Sequence, residues 1–359
     1  MAILQGEDGY LTFSIPTDKN NPDISLPKMS EYVNLLNDND LANSLVNRHG
    51  LITTTEVQGV FVETSPNKFG IVLGPEFNPI IYRGQNNDYP FMPSSKRYEL
   101  ADGNERVRHS IDWIKRNEFI KLLSNTSYCT RTQRFKVLDC NYDVNCEAFA
   151  NLYNYVTDYI DVTRNMMVAY FFAYTYFDEK TARILPVEDF GKYSPTLYVA
   201  NLRELYSTVP ESINRIGLQP SIRAKVQQTM SINVKDNKDL VKGLFKKIDL
   251  PKNSLIAKNV FNQFNGGSLI FPSDYASRCA LQIRGHRTLQ EEFIDKYCDE
   301  TSTDKNWLRG ELKKLGFELI NQPWDIPEQA RYMINREIDE FIIPYLNSSF
   351  IYRGVKRES

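Results

Sequence analysis

Residues 165–177 read NMMVAYFFAYTYF, a run that is apolar at almost every position. A helix that is apolar all round its circumference is buried on every side, so the run predicts a core helix. The part from Met166 to Phe177 is shorter than the roughly 20 residues that a membrane-spanning helix needs. Asp161 and Thr163 stand just before it, and threonine is a residue type that caps helix starts. The core helix is therefore expected to begin beside a carboxylate.

The sequence on both sides of this run alternates between strand signals and helix signals. Short segments rich in β-branched and aromatic residues predict strands. They are a hairpin within 51–75, then 79–85, 192–202 and the end of 221–234. Residues 105–125 carry apolar side chains on or near one face of a helix. Because strands and helices follow in mixed order without a βαβ rhythm, we expect an α+β fold with a mixed sheet core and packed helices.

Three regions follow one another along the chain. Residues 1–49 form an N-terminal lead-in and a helix, residues 50–283 form the main domain, and residues 284–359 form a helical C-terminal extension. In the extension, apolar residues such as Leu308 and Leu312 share one helical face. A protein partner, if there is one, is expected to bind through these C-terminal helices.

Composition and charge argue against several classes of function. Lys plus Arg number 43 and Asp plus Glu 45, so the net charge is −2 and no basic field attracts a nucleic acid. The five cysteines form no CxxC pair and the chain starts without a secretory signal, which predicts a cytoplasmic protein with no membrane segment. His49, His109 and His286 stand far apart and near no cysteine or carboxylate cluster, so no metal site is expected.

Residues 81–85 read IYRGQ and contain a Tyr-Arg-Gly triplet. With this triplet the chain resembles the FRG domain family, which is named for (Phe/Tyr)-Arg-Gly, and residues 150–173 align without a gap with the family's HYGLPTRLLDWT-type motif. Residues 223–227 keep the Arg and the Gln of a third motif, which the family carries on a strand. Residues 250–274 resemble its closing helix and Phe-Pro turn. The resemblance covers about residues 78–283.

The triplet also resembles the first strand of ADP-ribosyltransferases, whose Arg holds the phosphates of NAD. This likeness implies an NAD-handling enzyme of that type, such as a toxin or a defence effector. A guanidinium suits a phosphate, and a helix start near Asp161 suits a ribose or phosphate contact. Gln227 takes the place of a strand Glu of those enzymes and can only hydrogen-bond. The implied nucleotide contacts are Tyr82, Arg83, Gly84, Thr163 and Arg223, and the implied catalytic residues are Asp161 and Gln227.

Each of these residues also has a structural explanation. Arg83 can pair with Asp161, and Gln227 can be a polar strand residue whose amide is satisfied. The positions of the family's His and Arg hold Leu152 and Asp158, which favours a non-catalytic domain that binds a nucleotide or a protein. The two hypotheses differ in geometry, because an enzyme requires Arg83, Asp161 and Gln227 to line one cleft.

Overall fold

The computed structural model describes most of the chain between residues 59 and 322. The described residues are 2–5, 11–14, 28, 51–54, 59–73, 80–97, 103–125, 129, 136–137, 140–178, 180–209, 213–214, 222–236, 238–322, 332, 336 and 350–353. The helix that the sequence predicts within the N-terminal lead-in lies outside these residues.

Strands and helices follow one another in mixed order along the described chain, which confirms the α+β class. The first elements are β1 (Ala2–Gln5), β2 (Leu11–Ser14), β3 (Leu51–Thr54), β4 (Gly59–Ser65), β5 (Lys68–Leu73), β6 (Ile80–Gln85), α1 (Gly103–Ser124), β7 (Lys136–Val137), β8 (Cys140–Tyr142), α2 (Cys146–Leu152) and β9 (Tyr159–Thr163). The middle elements are α3 (Met166–Tyr174), β10 (Thr175–Asp178), β11 (Arg183–Pro186), β12 (Thr196–Asn201), α4 (Leu202–Thr208), β13 (Ile213–Asn214), α5 (Ile222–Gln227), β14 (Thr229–Asn233), α6 (Lys238–Gly243) and β15 (Lys246–Asp249). The last are α7 (Ser254–Gln263), α8 (Tyr275–Gly285), β16 (Thr288–Gln290), α9 (Glu291–Thr301), α10 (Lys305–Lys314), β17 (Glu318–Ile320) and β18 (Phe350–Arg353).

A six-stranded antiparallel sheet is built from strands that lie between Ile80 and Asp249. Its strand order is β13-β14-β9-β6-β12-β15, which reads 4-5-2-1-3-6 when these strands are numbered along the chain. β6 and β9 are the two central strands, yet their ladder consists of the single pair Tyr82–Thr163. By contrast, β6 pairs with β12 along its whole length. The sheet is therefore weakly joined at its centre, beside Arg83 and Asp161.

Apolar side chains from one face of this sheet and from helix α4 form the largest described core. They include Ile81, Ile160 and Ile232 of the sheet and Tyr206 of α4, all of them buried. β-branched residues at alternate positions of a strand point to one face, and this pattern indicated β14 within 221–234, whereas β9 was not predicted as a strand. The predicted hairpin is also confirmed, since β4 and β5 pair antiparallel across a turn at Asn67.

Helix α3 contacts β6 and packs its apolar side chains against α7, through residues such as Phe171 and Val260. It is shorter than the predicted core helix, because the chain turns into the hairpin β10–β11 at Thr175. The prediction of burial on every side is wrong at Phe172 and Phe177, which are 36% and 61% exposed. In β10 Thr175 is buried, Tyr176 and Asp178 are partly buried and Phe177 is exposed, because this segment is an extended strand and not the continuation of the core helix.

The chain after residue 284 packs α9 and α10 on α1 around Trp113, Leu289, Ile294 and Leu308. The sequence predicted a mostly helical extension, and the structure adds three short strands to these two helices. β16 and β17 form a parallel pair, and β18 pairs with β3 at the end of a separate eight-stranded mixed sheet. These strands are short, and their partners are distant in sequence, so no local pattern indicates them.

Candidate functional site

A cavity of about 890 Å³ lies beside the weakly joined centre of the sheet. β6, β9, α3, α5, the hairpin β10–β11 and the turn at 265–267 contribute its walls. Five of the seven residues predicted from sequence line it, namely Arg83, Gly84, Asp161, Arg223 and Gln227. Tyr82 and Thr163 do not line it and face each other in the single pair between β6 and β9. The structure thus brings Arg83, Asp161 and Gln227 to one cavity, although they are far apart in sequence.

Arg83 joins the two central strands where their ladder ends. Its Nη1 donates a hydrogen bond to the backbone carbonyl of Asp161, with a donor–acceptor distance of 2.8 Å. The structural explanation from sequence named the Asp161 carboxylate as the partner, whereas this bond goes to the main chain. A side chain held in this way is pre-organised, which lowers the entropic cost of binding an anion.

Asp161 is the one acidic residue among the described residues that line the cavity. Ser231 Oγ, on the neighbouring strand β14, donates to Asp161 Oδ1 at 2.8 Å. Burial raises the pKa of this carboxyl above its ordinary value, although hydrogen bonds from Ser231 and Asn151 and the charge of Arg83 act in the opposite direction. Asp161 therefore keeps its proton to a higher pH than an exposed aspartate does.

Gly84 has a packing role that the sequence interpretation did not foresee. A Cβ placed on it would overlap the Ala169 carbonyl, with the carbonyl carbon at 2.7 Å, and would lie 3.0 Å from Ala173 N. The absence of a side chain lets β6 approach the backbone of α3, rather than a phosphate as the resemblance implied. Close packing of α3 on the sheet thus depends on this glycine.

The side chains of Thr163 and Asn165 both make hydrogen bonds at the start of α3. The N-cap is Asn165, whose side chain accepts a hydrogen bond from Met167 N at 2.9 Å. The prediction that Thr163 is the N-cap is therefore wrong. Thr163 Oγ1 instead donates to Gln227 O at 2.6 Å and accepts from Asn165 N at 3.0 Å. Its hydroxyl is buried in these two bonds, which ties α5 to the start of α3.

Gln227 ends helix α5 and does not lie on a strand, so that part of the sequence interpretation is wrong. The following residue, Gln228, adopts φ of 45°, and β14 starts one residue later. Gln227 is 5% exposed; its Nε2 donates to Ile270 O at 3.0 Å and its Oε1 accepts from Thr229 Oγ1 at 3.3 Å. Both ends of the amide hold neighbouring segments, which supports the structural explanation of this residue.

Arg223 lies in the same helix and is also buried. Its Nη1 donates to Leu152 O at 2.9 Å, and its guanidinium lies over the rings of Tyr153 and Phe271, 4.4 Å and 5.3 Å from their centroids. Cations stack favourably on aromatic faces, so this arginine fixes the wall of the cavity and adds positive charge to it.

The sequence interpretation assigned Phe172 and Phe177 to core packing in preference to stacking on a nicotinamide or adenine, and it missed Tyr89 and two polar residues of the walls. Tyr89, Phe172 and Phe177 are substantially exposed and line the cavity from three different elements. Arg183, at the start of β11, and Gln85, at the end of β6, line it as well. The aromatic residues of α3 and β10 were assigned to the core because an apolar run alone does not reveal where a helix stops.

Comparisons of the chain with family models, with curated proteins and with solved structures found no match. Within the described residues, no group of three or more His, Cys, Asp or Glu side chains is placed to hold a metal ion. The helices that the structure describes include none that is both long and apolar enough to cross a membrane.

Proposed function

We propose that the protein binds a nucleotide in the cavity beside Arg83 and that this nucleotide is NAD or a close relative. The observation that carries the proposal is the charge of the walls. Among the residues that the structure describes, three arginines, Arg83, Arg183 and Arg223, line the cavity against one carboxyl, that of Asp161. Arginine clusters favour phosphate groups, because each guanidinium can donate paired hydrogen bonds to phosphate oxygens.

The size and the rim of the cavity support a ligand larger than a simple anion. A volume of about 890 Å³ lies at the upper end of the range for small-molecule sites, which is suitable for a dinucleotide. Tyr89 and Phe177 expose aromatic surface at the rim, where a nucleotide base or a nicotinamide ring can stack. The resemblance to ADP-ribosyltransferases agrees with this proposal, since Arg83 lies on the first strand of the central sheet.

ADP-ribosyl transfer is a further part of the proposal and depends on Asp161. A carboxylate in a cavity can stabilise positive charge that develops on a ribose. Bound NAD would supply the ADP-ribosyl group: its glycosidic bond to nicotinamide would break, nicotinamide would leave, and an acceptor nucleophile or water would lose a proton and bond to the ribose carbon. Arg83 would hold the phosphates, and Asp161 would face the ribose. The hydrogen bonds of Gln227 favour the second candidate, a non-catalytic nucleotide-binding domain, because they occupy the amide that the transferase interpretation needs.

Isothermal titration of the full chain with NAD, ADP-ribose and nicotinamide tests the proposal. We expect NAD and ADP-ribose to bind, and Arg83→Ala to weaken both by about tenfold to a hundredfold. Arg108→Ala is the matched control, because Arg108 is exposed on α1 and does not line the cavity. Equal affinity in the folded Arg83→Ala protein and the wild type would reject the phosphate role. Release of nicotinamide from NAD by the wild type, lost in Asp161→Asn, would separate transfer from binding.

Two other predictions remain proposals. Five cysteines are free, which fits the cytoplasmic location that their number and spacing predict. Binding of a protein partner through the C-terminal helices would have to use their outer faces, because α9 and α10 direct Ile294 and Leu308 towards α1.

A further inference from the structure

We propose that Gln85 selects the ligand of this cavity by accepting a hydrogen bond from an N–H group of its base or carboxamide. The inference rests on the proposed nucleotide site and adds the chemistry that it recognises. Gln85 is the last residue of β6, lines the cavity and is 6% exposed. No motif in the sequence analysis assigned a role to it.

The side-chain oxygen of Gln85 is the observation behind this proposal. Oε1 is sealed from solvent and accepts no hydrogen bond from any residue that the structure describes. Buried amide oxygens almost always accept a hydrogen bond. In the unfolded chain water donates to them, and burial without a new donor costs free energy. Gln227, which lines the same cavity, shows the usual case, since its Oε1 accepts a hydrogen bond from Thr229 Oγ1 at 3.3 Å. An acceptor without a partner, on a residue that lines a cavity, is set up for a donor that arrives with a ligand.

The position of Gln85 relative to Arg83 fits one ligand that touches both. Residues two apart on a strand project from the same face, roughly 7 Å from one another. Phosphate oxygens only accept hydrogen bonds at neutral pH, so they suit Arg83 and cannot satisfy the oxygen of Gln85. The donor must come from another part of the ligand. The carboxamide of nicotinamide and the exocyclic amine of adenine both offer an N–H group.

Gln85→Met tests the role of this oxygen, because methionine has nearly the same length and no buried acceptor. We expect the thermal midpoint to stay the same or to rise, since an unpartnered polar atom is removed. We expect the affinity for NAD to fall by about tenfold, the value of one hydrogen bond to a ligand. Gln282→Met is the control for the same change at an exposed glutamine of α8 outside the cavity, and it should alter neither quantity.

Two pairs of ligands identify the donor. NAD against its deamido analogue, which carries a carboxylate in place of the carboxamide, tests the nicotinamide end. ADP against IDP, which lacks the exocyclic amine, tests the adenine end. Gln85 is supported if one pair differs in the wild type by about tenfold and this difference disappears in Gln85→Met. The role of Gln85 is rejected if the wild type binds NAD and Gln85→Met binds it equally well. If the wild type binds none of these nucleotides, the proposed function and this inference both fail.

Discussion

Gly84 of β6 and Ala169 of α3 meet backbone to backbone, so that a Cβ on Gly84 would overlap the Ala169 carbonyl. We predict that Gly84→Ala destabilises the protein by at least about 3 kcal/mol, because neither backbone can move without separating α3 from the sheet. Urea unfolding of the wild type and the variant measures the difference.

A glycine without such a neighbour provides the control. Gly310 lies inside α10, and a Cβ built on it meets nothing within 4 Å. Gly310→Ala should therefore stabilise the protein by about 0.5–1 kcal/mol, since alanine has the higher helix propensity. A Gly84→Ala protein as stable as the wild type would contradict the close approach of β6 and α3.

The buried carboxyl of Asp161 makes stability depend on pH in an unusual direction. Its pKa in the folded protein is raised, so above about pH 4 the native state keeps a proton that the unfolded chain loses. The stabilising contribution is fully present at lower pH and is lost as pH rises through the raised pKa. We predict that the free energy of unfolding of Asp161→Asn no longer falls as pH rises through this range. The amide cannot ionise, and its oxygen can still accept the hydrogen bond from Ser231.

Denaturant unfolding at several pH values between about 4 and 7 checks this prediction. Asp178 offers a comparison of opposite sign, since hydrogen bonds from Thr181 lower the pKa of its carboxyl. Its stabilising contribution is present above the unfolded pKa and is lost as pH falls. Asp178→Asn should therefore lower the free energy of unfolding at neutral pH, whereas Asp161→Asn should not lower it. An Asp161→Asn variant whose stability changes with pH as the wild type's does would reject the role of this carboxyl.

Local signals in the sequence located the strands β6, β12 and β14 of the central sheet, together with the hairpin β4–β5 and helix α1, but they did not indicate β9, which lies at the centre of that sheet. The hairpin β4–β5 carries its own turn at Asn67, and α1 has a long apolar face, so neither needs information from elsewhere. The segment 221–234 holds both a helix and a strand, and a short apolar window does not separate the two. The sequence interpretation thus placed Gln227 on a strand. Only the end of this segment, Thr229–Asn233, is a strand.

The candidate site could be predicted only in part, for a related reason. Arg83, Asp161 and Gln227 were found because they belong to motifs that the resemblance names. Arg183 and Tyr89 belong to no motif, and they reach the cavity because of the hairpin β10–β11 and the loop after β6. A residue that gains its role from tertiary placement gives no signal of its own in one sequence.

Lys115 illustrates a buried charge that the structure uses for stability. Its Nζ donates to the carbonyls of Ile283, Arg284 and His286, at 2.7–2.8 Å, where helix α8 ends. The last carbonyls of a helix have no intrahelical donors and carry partial negative charge, so a lysine there satisfies three of them. Burial lowers the pKa of this amine, and the nearby Glu118 partly offsets the effect.

We predict that Lys115→Met costs about 3 kcal/mol or more, because the variant leaves these carbonyls without a charged donor. The free energy of unfolding from urea titrations gives the value. Lys313→Met makes the same change at an exposed lysine of α10 and should alter stability by no more than about 0.5 kcal/mol. If the two substitutions change the free energy of unfolding equally, the three hydrogen bonds from Lys115 to the end of α8 contribute nothing to stability.

Gln227→Glu decides between the structural and the catalytic explanation of this residue. Glutamate would restore the acid that the resemblance to ADP-ribosyltransferases implies, and a catalytic Gln227 predicts faster cleavage of NAD in the variant. The hydrogen bonds predict the opposite. Nε2 donates to Ile270 O, so a carboxylate oxygen would face that carbonyl in a position that is 5% exposed.

We therefore expect Gln227→Glu to lose about 2–3 kcal/mol of stability at neutral pH and to gain no NAD cleavage. Part of the stability should return at low pH, because a protonated glutamate can donate to Ile270 O again. Gln228→Glu is the control, as this neighbour is exposed and the change should leave stability within about 0.5 kcal/mol of the wild type. Unfolding titrations and nicotinamide release measured on both variants are sufficient. A stable Gln227→Glu protein that cleaves NAD faster than the wild type would overturn the structural explanation, because the bond to Ile270 could not then be what holds this side chain.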